Sequence, residues 1–550
     1  MSIGVVKSSD RIQQQRFISD DLLLRTYKEL PRPSIYALLA DHGDELFGND
    51  FFGDLYPSRR GRPTTPARTI ATVMVLGAFG GLADKKATES LKYDLRWRVA
   101  AGIAIDTPVF NYSVICLLRS KLVNSASPNR IFDAVLSFAQ SHKIVISRVR
   151  SIDSTALYDS VQTKSTIAMI EGALGEIEAE IQDPTPPLHR PSFDDVADVA
   201  SYVDALCARS MAHLNTYSND TPPSEALASN LAFLGCILDQ DTQASPSGQR
   251  SIKDGVTPDR VISPVDRQAR HGRKSTNRRF DGFKSHLASD PTSGLITKVV
   301  VTAGNVSDKE ATLELVSDLA PLLEEVKEAP APKETTLDPP GEGDTSGQEP
   351  NAPEFHEVLI TNQDGELRLD PQVPFVIGDS AYGGFDTRED LAKAGIGILS
   401  RVPIPHNRDA KFSQDAFQID TAKMRVRCPA GNVVTYKKKR QGGETQVRFG
   451  ELCGSCPLRE RCTTAKGGRS IRIHPYQDEL ERLRAQQRNP VFLGLYNHYR
   501  SSAERMNAQL VKVLHGGRKS RYVGLAKSQF CLSQRAASVN LARISKLMVA

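Results

Sequence analysis

Three carboxylates in this 550-residue chain stand out by position rather than by number. Asp153 falls near the end of KIVISRVRSIDSTAL (Lys143–Leu157), whose β-branched and polar residues alternate as in a strand. Asp379 closes the apolar run of VPFVIGDSAYGG, and Glu504 lies in the basic helical stretch LYNHYRSSAERMNAQLVKVL. A carboxylate at the carboxyl edge of an open sheet sits where ligands bind in α/β folds. Chemistry on phosphodiesters needs hard oxygen ligands that hold two Mg²⁺ ions roughly 3.5 to 4 Å apart. Two aspartates and a glutamate from distant segments can build such a site, although any one of them alone reads more simply as a turn or surface charge. Asp159 is a rival first acid; Asp153 is preferred because it follows the strand pattern directly. Around the third acid, Tyr496, Arg500, Glu504, Ala508 and Lys512 recur every four residues, which predicts one slowly drifting helix face. Arg500 and Lys512 would then reach phosphates while Glu504 reaches metal.

A second set of candidate ligands is Cys428, Cys453, Cys456 and Cys462, spaced Cys-x24-Cys-x2-Cys-x5-Cys. Four thiolates suit tetrahedral Zn²⁺, with sulfurs then about 3.5 to 4.5 Å apart. A zinc ribbon has two Cys-x2-Cys knuckles and this segment has one, so reduced thiols or an iron–sulfur set are the alternatives. The segment has few apolar residues for a core of its own, which favours a staple. Cys116, Cys207, Cys236 and Cys531 sit in apolar contexts and read as buried core residues. Trp97 reads as core, and His286, in FKSHLASD, as a structural histidine.

The elements that position these groups belong to a large soluble chain. An apolar share of 39% and a charged share of 25% exclude global disorder, and eight cysteines are too sparse for a disulfide scaffold. The first residues lack a secretory pattern, and the longest uncharged apolar run, Ile70–Ala83, is short of the ~18 to 20 residues of a membrane span. A cytoplasmic protein without membrane contact is expected. The net charge of +5 hides two unlike parts: residues 401–550 carry 29 basic and 10 acidic residues, residues 1–400 carry 41 and 55. That asymmetry points to a C-terminal third that meets a polyanion. Four basic runs could follow a phosphate backbone: LKYDLRWRVAAG around Trp97, Arg270–Phe280, Lys437–Arg440 and His515–Tyr522.

Periodicity divides the chain. Residues 1–142 read as a helical N-terminal, DNA-binding domain, with a basic loop over Ser58–Ile70 before an apolar helix. Residues 143–160, 280–327, 371–427 and 470–550 read as a mixed sheet flanked by helices. The sheet includes a hairpin turning at Asp290-Pro-x-Ser-Gly and a strand–helix–strand unit around Phe385–Gly395. A helical insertion and an exposed polar connection over Asp239–Arg279 fill 161–279; 328–354 is an acidic disordered linker and 428–469 a small Cys-rich β module.

The combination of IDSTAL, VIGDSAYGG and YRSSAERMNAQL, in that order, resembles the DDE transposases of bacterial insertion sequences. The tyrosine, arginine, glutamate and lysine around the third acid resemble the signature of one large branch, although Tyr496 and Lys512 each stand one residue further out than in that signature. GRPTTPARTIATVMVLGAFGG is similar to that branch's N-terminal helical domain, and CPLRERCTTAKGGRSIRIHP to its Cys-containing segment. The resemblance implies an RNase H-like core with Asp153, Asp379 and Glu504 as catalytic ligands of two Mg²⁺ or Mn²⁺ ions. It implies cleavage at element ends and 3′-OH strand transfer into target DNA. Partners would be double-stranded DNA, through Arg500, Arg505, Lys512, Arg518, Lys519 and Arg521, and a second copy of the chain. A structure-selective nuclease and an inactive DNA-binding derivative are the rival functions.

Overall fold

In the computed structural model the described residues are 21–549, apart from 57–64, 145, 161, 193–194, 218–221, 223, 256, 276–277, 320–357, 362–366, 371–372, 404–410, 438–442 and 514–517. The linker expected over 328–354, the first part of the basic loop at 58–70, Lys438–Arg440 and His515–Gly517 lie outside the described residues.

The N-terminal part is helical: α1 (Asp21–Glu29), α2 (Ile35–Leu46), α3 (Ala67–Phe79), α4 (Asp84–Tyr93), α5 (Leu95–Ala101), α6 (Ser113–Val123) and α7 (Arg130–Ser141). Helix α3 buries every residue from Ala67 to Gly77 except Arg68, so it is the inner helix of the bundle. Ser34 caps α2 by accepting from the Ala37 amide, and α5 stops at Gly102, whose φ of 65° suits the left-handed C-cap. Trp97 is buried in this core.

The sheet follows. Strand β1 (Val149–Tyr158) leads into an insertion of three helices, α8 (Thr166–Ile181), α9 (Val196–Thr216) and α10 (Glu225–Asp241), which share an apolar core of their own. A short hairpin, β2 (Thr242–Ala244) and β3 (Arg250–Ile252), precedes β4 (Arg270–Ser275), β5 (Arg278–Ser289) and β6 (Ile296–Ala303). The polar connection expected over Asp239–Arg279 is therefore shorter than the composition suggested, because β4 pairs with the first half of β5 and joins the main sheet. Its sequence, RHGRKS, has no apolar alternation because β4 is an edge strand, paired with β5 on one side and on the other touched only by the Val261–Arg270 bridge among the described residues.

After a one-turn helix, α11 (Thr312–Leu315), come a small pair, β7 (Leu359–Thr361) and β8 (Leu367–Leu369), and then β9 (Phe375–Ile377), α12 (Phe385–Lys393) and β10 (Gly397–Leu399). The sheet order is β10-β9-β1-β5-β4, with β6 on the second half of β5; β10, β9 and β1 are parallel and the rest antiparallel. A curled mixed sheet flanked by helices fits an RNase H-like core.

Strands β11 (Gln418–Asp420), β12 (Arg425–Arg427) and β13 (Val433–Thr435) form one small sheet. Strand β14 (Thr445–Arg448), α13 (Arg459–Cys462) and β15 (Ser470–Ile473) complete the Cys-rich region. Its expected lack of a core is corrected: Phe417 and Val426 from before the cysteines and Ile471 and Ile473 from after them pack with Val447 and Phe449. Three helices end the chain, α14 (Gln477–Gln486), α15 (Pro490–Asn507) and α16 (Leu525–Leu547).

Helix α16 packs on β6, α3 and α7. Its Asn540 side chain pairs with both the N–H and C=O of Ile296 at 2.8 Å, and Gln529 bonds Val301 N–H at 2.7 Å and Val299 C=O at 2.9 Å. These side chains close the free edge of β6 as another strand would. One apolar core thus runs from the N-terminal helices through α16 into the sheet. Among the described residues no single helix is long and apolar enough to cross a membrane.

Candidate active site

Strand β1 has an interrupted edge. On the side away from β5 it pairs with β9 only at Val149–Ser151, and it is touched again at Tyr158, whose N–H and C=O bond Arg518 O and Ser520 N at 2.7 Å. Between them lies a cavity of about 400 Å³. Asp153 faces it from the middle of β1 rather than from the strand end the sequence suggested, because β1 continues to Tyr158 against β5. Asp379 reaches it two residues beyond the end of β9, and Glu504 reaches it from α15. The three acids, each more than 100 residues from the next, share this cavity with Asp308, Lys284, Arg500 and Asn507, and with Arg273, Lys274 and Arg518.

Asp153 is held by α15: Arg500 Nη2 donates to Oδ1 at 3.1 Å and Asn507 Nδ2 to Oδ2 at 2.6 Å. Arg500 Nη2 also lies 3.6 Å from Glu504 Oε1. Burial works against the charge of Arg500, but Asp153 and Asp379 outweigh it and raise the guanidinium above its ordinary value. Asp379 is mostly buried and its carboxyl is pushed up, chiefly by desolvation, although the Ala381 N–H bonds Oδ1 at 2.9 Å. Its turn is clamped from behind: Ser400 Oγ donates to Asp379 O, and buried Arg388 donates to Gly383 O and Ser400 O. Asp159, the rival first acid, does not line the cavity.

Residues 427–545 match the family model described as transposase DDE domain, residues 241–329 a second transposase DDE domain, and residues 24–121 a transposase domain (DUF772). The chain belongs to the DDE transposases of insertion sequences. Neither the curated proteins nor the solved structures contain a match to it.

The transposase departs from its sequence pattern along the third-acid helix. Regular α-helix ends at Asn507 and a π-helix runs over Ala508–Val513, so the four-residue recurrence does not carry one face through to position 512. The Lys512 side chain lies outside the described residues. Tyr496 is buried and stacks on Phe492 instead of facing the cavity. Arg505, Arg518, Lys519 and Arg521 are exposed; Arg518 lines the cavity and Arg521 donates to Gly81 O at 2.8 Å. His286 is fully buried, bonds Thr302 Oγ1 at 2.9 Å, and is driven down to about 4 by desolvation, which agrees with a structural role.

The cysteines cluster loosely. Cys462 is raised by burial and next senses Arg469, which lowers it, and the other three thiols, which raise it. Cys453 and Cys462 turn into the apolar core of the module, and Cys453 Sγ accepts the Arg469 N–H at 3.4 Å. Among the described residues no three cysteine sulfurs lie within 4.8 Å of one another, wider than the expected 3.5 to 4.5 Å. Groups that tight occur at His42, Glu45 and His142 and at Glu178, Asp183 and His213, neither of which lines the cavity. Cys207 is buried as expected, but Cys116 and Cys236 are exposed and Cys531 half-buried. They stand on helices whose apolar neighbours fill the core from other faces.

Asp308 and Lys284 escaped sequence reading. Asp308 follows Ser307 in a Ser-x-x-Glu capping box, a signal that explains an acid as helix-start chemistry. Lys284 was available from strand alternation, two residues from His286 on the same face of β5.

Proposed function

We propose that this transposase binds the terminal repeats of its own element, cuts at the 3′ ends with water as nucleophile, and uses the freed 3′-OH to attack target DNA. Asp153, Asp379 and Glu504 are its catalytic residues. The observation that carries this reading is their convergence, from segments far apart in sequence, on one cavity whose remaining charged lining is largely basic. Three carboxylates on a shared cavity form a hard-oxygen donor set suited to Mg²⁺ or Mn²⁺, and Arg500 Nη1, buried and without a hydrogen-bond partner among the described residues, offers an N–H to an anion beside them. Two such ions, when bound, supply Lewis-acid stabilisation of the attacking and leaving oxygens.

The chain's own groups set the geometry. Asn507 and Arg500 fix both oxygens of Asp153, and the Ser400–Arg388 clamp fixes the turn of Asp379. Arg273, Lys274 and Arg518 at the cavity, with Arg505, Lys512, Lys519 and Arg521 on the same C-terminal third, hold DNA phosphates. The helical region 1–142 reads the element end, and pairing two ends calls for a homo-oligomer. Membership of the tyrosine–arginine–glutamate–lysine branch is part of this reading, supported by Arg500 and Glu504 at the cavity and by the order of Tyr496, Arg500, Glu504 and Lys512 in the sequence. Cys428, Cys453, Cys456 and Cys462 would be the residues to hold a structural Zn²⁺, with reduced thiols packed in the module's apolar core as the alternative.

Incubating the purified full chain with a labelled element end and Mg²⁺ or Mn²⁺ tests this function by its nicked and joined products. Asp379→Asn and Glu504→Gln should each abolish cleavage while binding to the element end persists, since affinity comes mainly from phosphate contacts. Cleavage surviving in both variants would refute the metal-site reading.

A further inference from the structure

Lys284 is a mostly buried lysine that spends two of its three donors among the described residues. It stands on β5 opposite Ala156 of β1 and Thr302 of β6, and its side chain lines the cavity that holds Asp153 and Asp379. Its Nζ donates to Val306 O at 2.7 Å and to Asp308 Oδ1 at 2.9 Å. Asp308 is fixed from its other side, where Oδ2 accepts from Ser154 Oγ at 2.8 Å. An ammonium has three N–H donors, and among the described residues two are accounted for.

The arrangement is a costly way to brace a sheet. Side chains of both partners are more than four-fifths buried, and an ion pair so placed contributes little net stability over an apolar pair of the same volume. Its location is informative instead. A phosphodiester drawn to the three acids brings two non-bridging oxygens into the cavity, and negative charge concentrates there in an in-line displacement. A preorganised cation aimed at that charge costs no reorganisation during reaction. Asp308, by contrast, is neutralised by Lys284 and engaged by Ser154, so it acts through the lysine.

We propose that Lys284 is a further catalytic residue of this site, donating its remaining N–H to a non-bridging oxygen of the scissile phosphate, and that Asp308 is the positioning residue that aims it. This rests on the transposase function above.

The test uses the full chain, a labelled duplex element end and Mn²⁺, with Lys284→Met, Lys284→Arg and Asp308→Asn beside Asp379→Asn. At saturating DNA and well below the unfolding transition, Lys284→Met should slow single-turnover cleavage by about 10² to 10³, with Kd for the DNA within about threefold; its melting temperature falls because Asp308 Oδ1 loses its buried partner. Lys284→Arg should recover at least tenfold of that loss, and Asp308→Asn should fall between wild type and Lys284→Met. Sulfur in place of the contacted non-bridging oxygen should slow the wild type in one phosphorothioate diastereomer and leave Lys284→Met indifferent to which diastereomer it receives, a signature a mere brace would not give. Cleavage by Lys284→Met within threefold of wild type, or a loss carried wholly by Kd or by unfolding, would overturn the proposal. If the wild type cuts and Asp379→Asn does not, such a result sinks this inference alone; a wild type that binds ends without cutting takes the function and the inference down together.

Discussion

Replacing Gly383 by alanine adds one methyl group and should disable the turn that carries Asp379. A Cβ built there lies 2.0 Å from Arg401 O, 2.8 Å from Arg401 C and 3.0 Å from Ser400 Oγ. Ordinary contact starts near 3.4 Å, so the carbonyl must retreat by about 1 Å even to reach 3.0 Å. The obstacle is backbone and cannot rotate away. The strand end that would move is the one whose Ser400 Oγ holds Asp379 O at 2.6 Å, and Arg388 spans both sides of the same contact, from Gly383 O at 3.2 Å to Ser400 O at 2.6 Å. Overpacking of this kind costs about 1 to 3 kcal/mol, and breaking the clamp adds about 1 kcal/mol per hydrogen bond lost. A total of roughly 3 to 5 kcal/mol is expected. A displacement of about 1 Å at a catalytic carboxylate costs on the order of 10² in rate. Hydrogen exchange at Ala381–Gly384 and Gly397–Ser400, together with single-turnover cleavage of an element end, measures both effects. Gly384, where an added Cβ meets nothing within 4 Å, supplies the matched control. If Gly383→Ala exchanges and cleaves like Gly384→Ala, the close approach does not constrain the site and the reasoning fails.

Asn540→Ala should destabilise the protein by about 3 kcal/mol, because it orphans a buried N–H and C=O of Ile296 at once; urea midpoints and exchange at Ile296 check it, and an unchanged midpoint refutes it. His286 stays neutral in the folded protein down to about pH 4, whereas the unfolded chain takes up its proton near 6.5. The unfolded state therefore binds more protons between those values, and stability is full above about pH 6.5 and falls by about 2 kcal/mol on going to pH 5. His286→Asn should lose less between pH 7.5 and 5 than wild type, and parallel curves would contradict the burial argument. Metal analysis should find one zinc per chain, absent from Cys456→Ser and Cys462→Ser; no zinc in the wild type would leave the apolar core of the module as its sole support.

What the sequence disclosed depended on whether a residue's neighbours in the chain were also its neighbours in the fold. Asp379 was legible because the apolar run that buries β9 leads straight to it, and the helix and strand that clamp it follow within about twenty residues. The hairpin at Asp290 was legible for the same reason. Strand β4 was not, since its pairing partner alone makes it a strand, and an edge strand with one paired side needs no apolar alternation. The π-helix after Asn507 was equally hidden: residues spaced by four predict a continuous face only while the backbone keeps 3.6 residues per turn. Cys116 and Cys236 show the converse, apolar neighbours in sequence that turn to the other side of a helix.

The position of the cavity follows from the shortness of β9. Three residues of pairing leave Ile152–Leu157 of β1 without a strand on the side away from β5 until Arg518–Ser520 returns at Tyr158. A longer β9 would have carried Asp379 past the level of Asp153 and sealed the edge with ladder hydrogen bonds. Because it stops early, the chain leaves the sheet at Gly378 and delivers its carboxylate beside the open edge, while α15 crosses β1 and hangs Arg500, Glu504 and Asn507 over the same gap. Alternation along β1 then sends Asp153 to the α15 side and Ser154 to the opposite side, where Asp308 and Lys284 wait. An open strand edge is thus reached from both faces of the sheet at once, so carboxylates from α15 and β1 and a lysine from β5 line one cavity without sharing a face. That geometry explains why the acids are so far apart in sequence: each arrives on a different element, and only the gap in the ladder makes them neighbours.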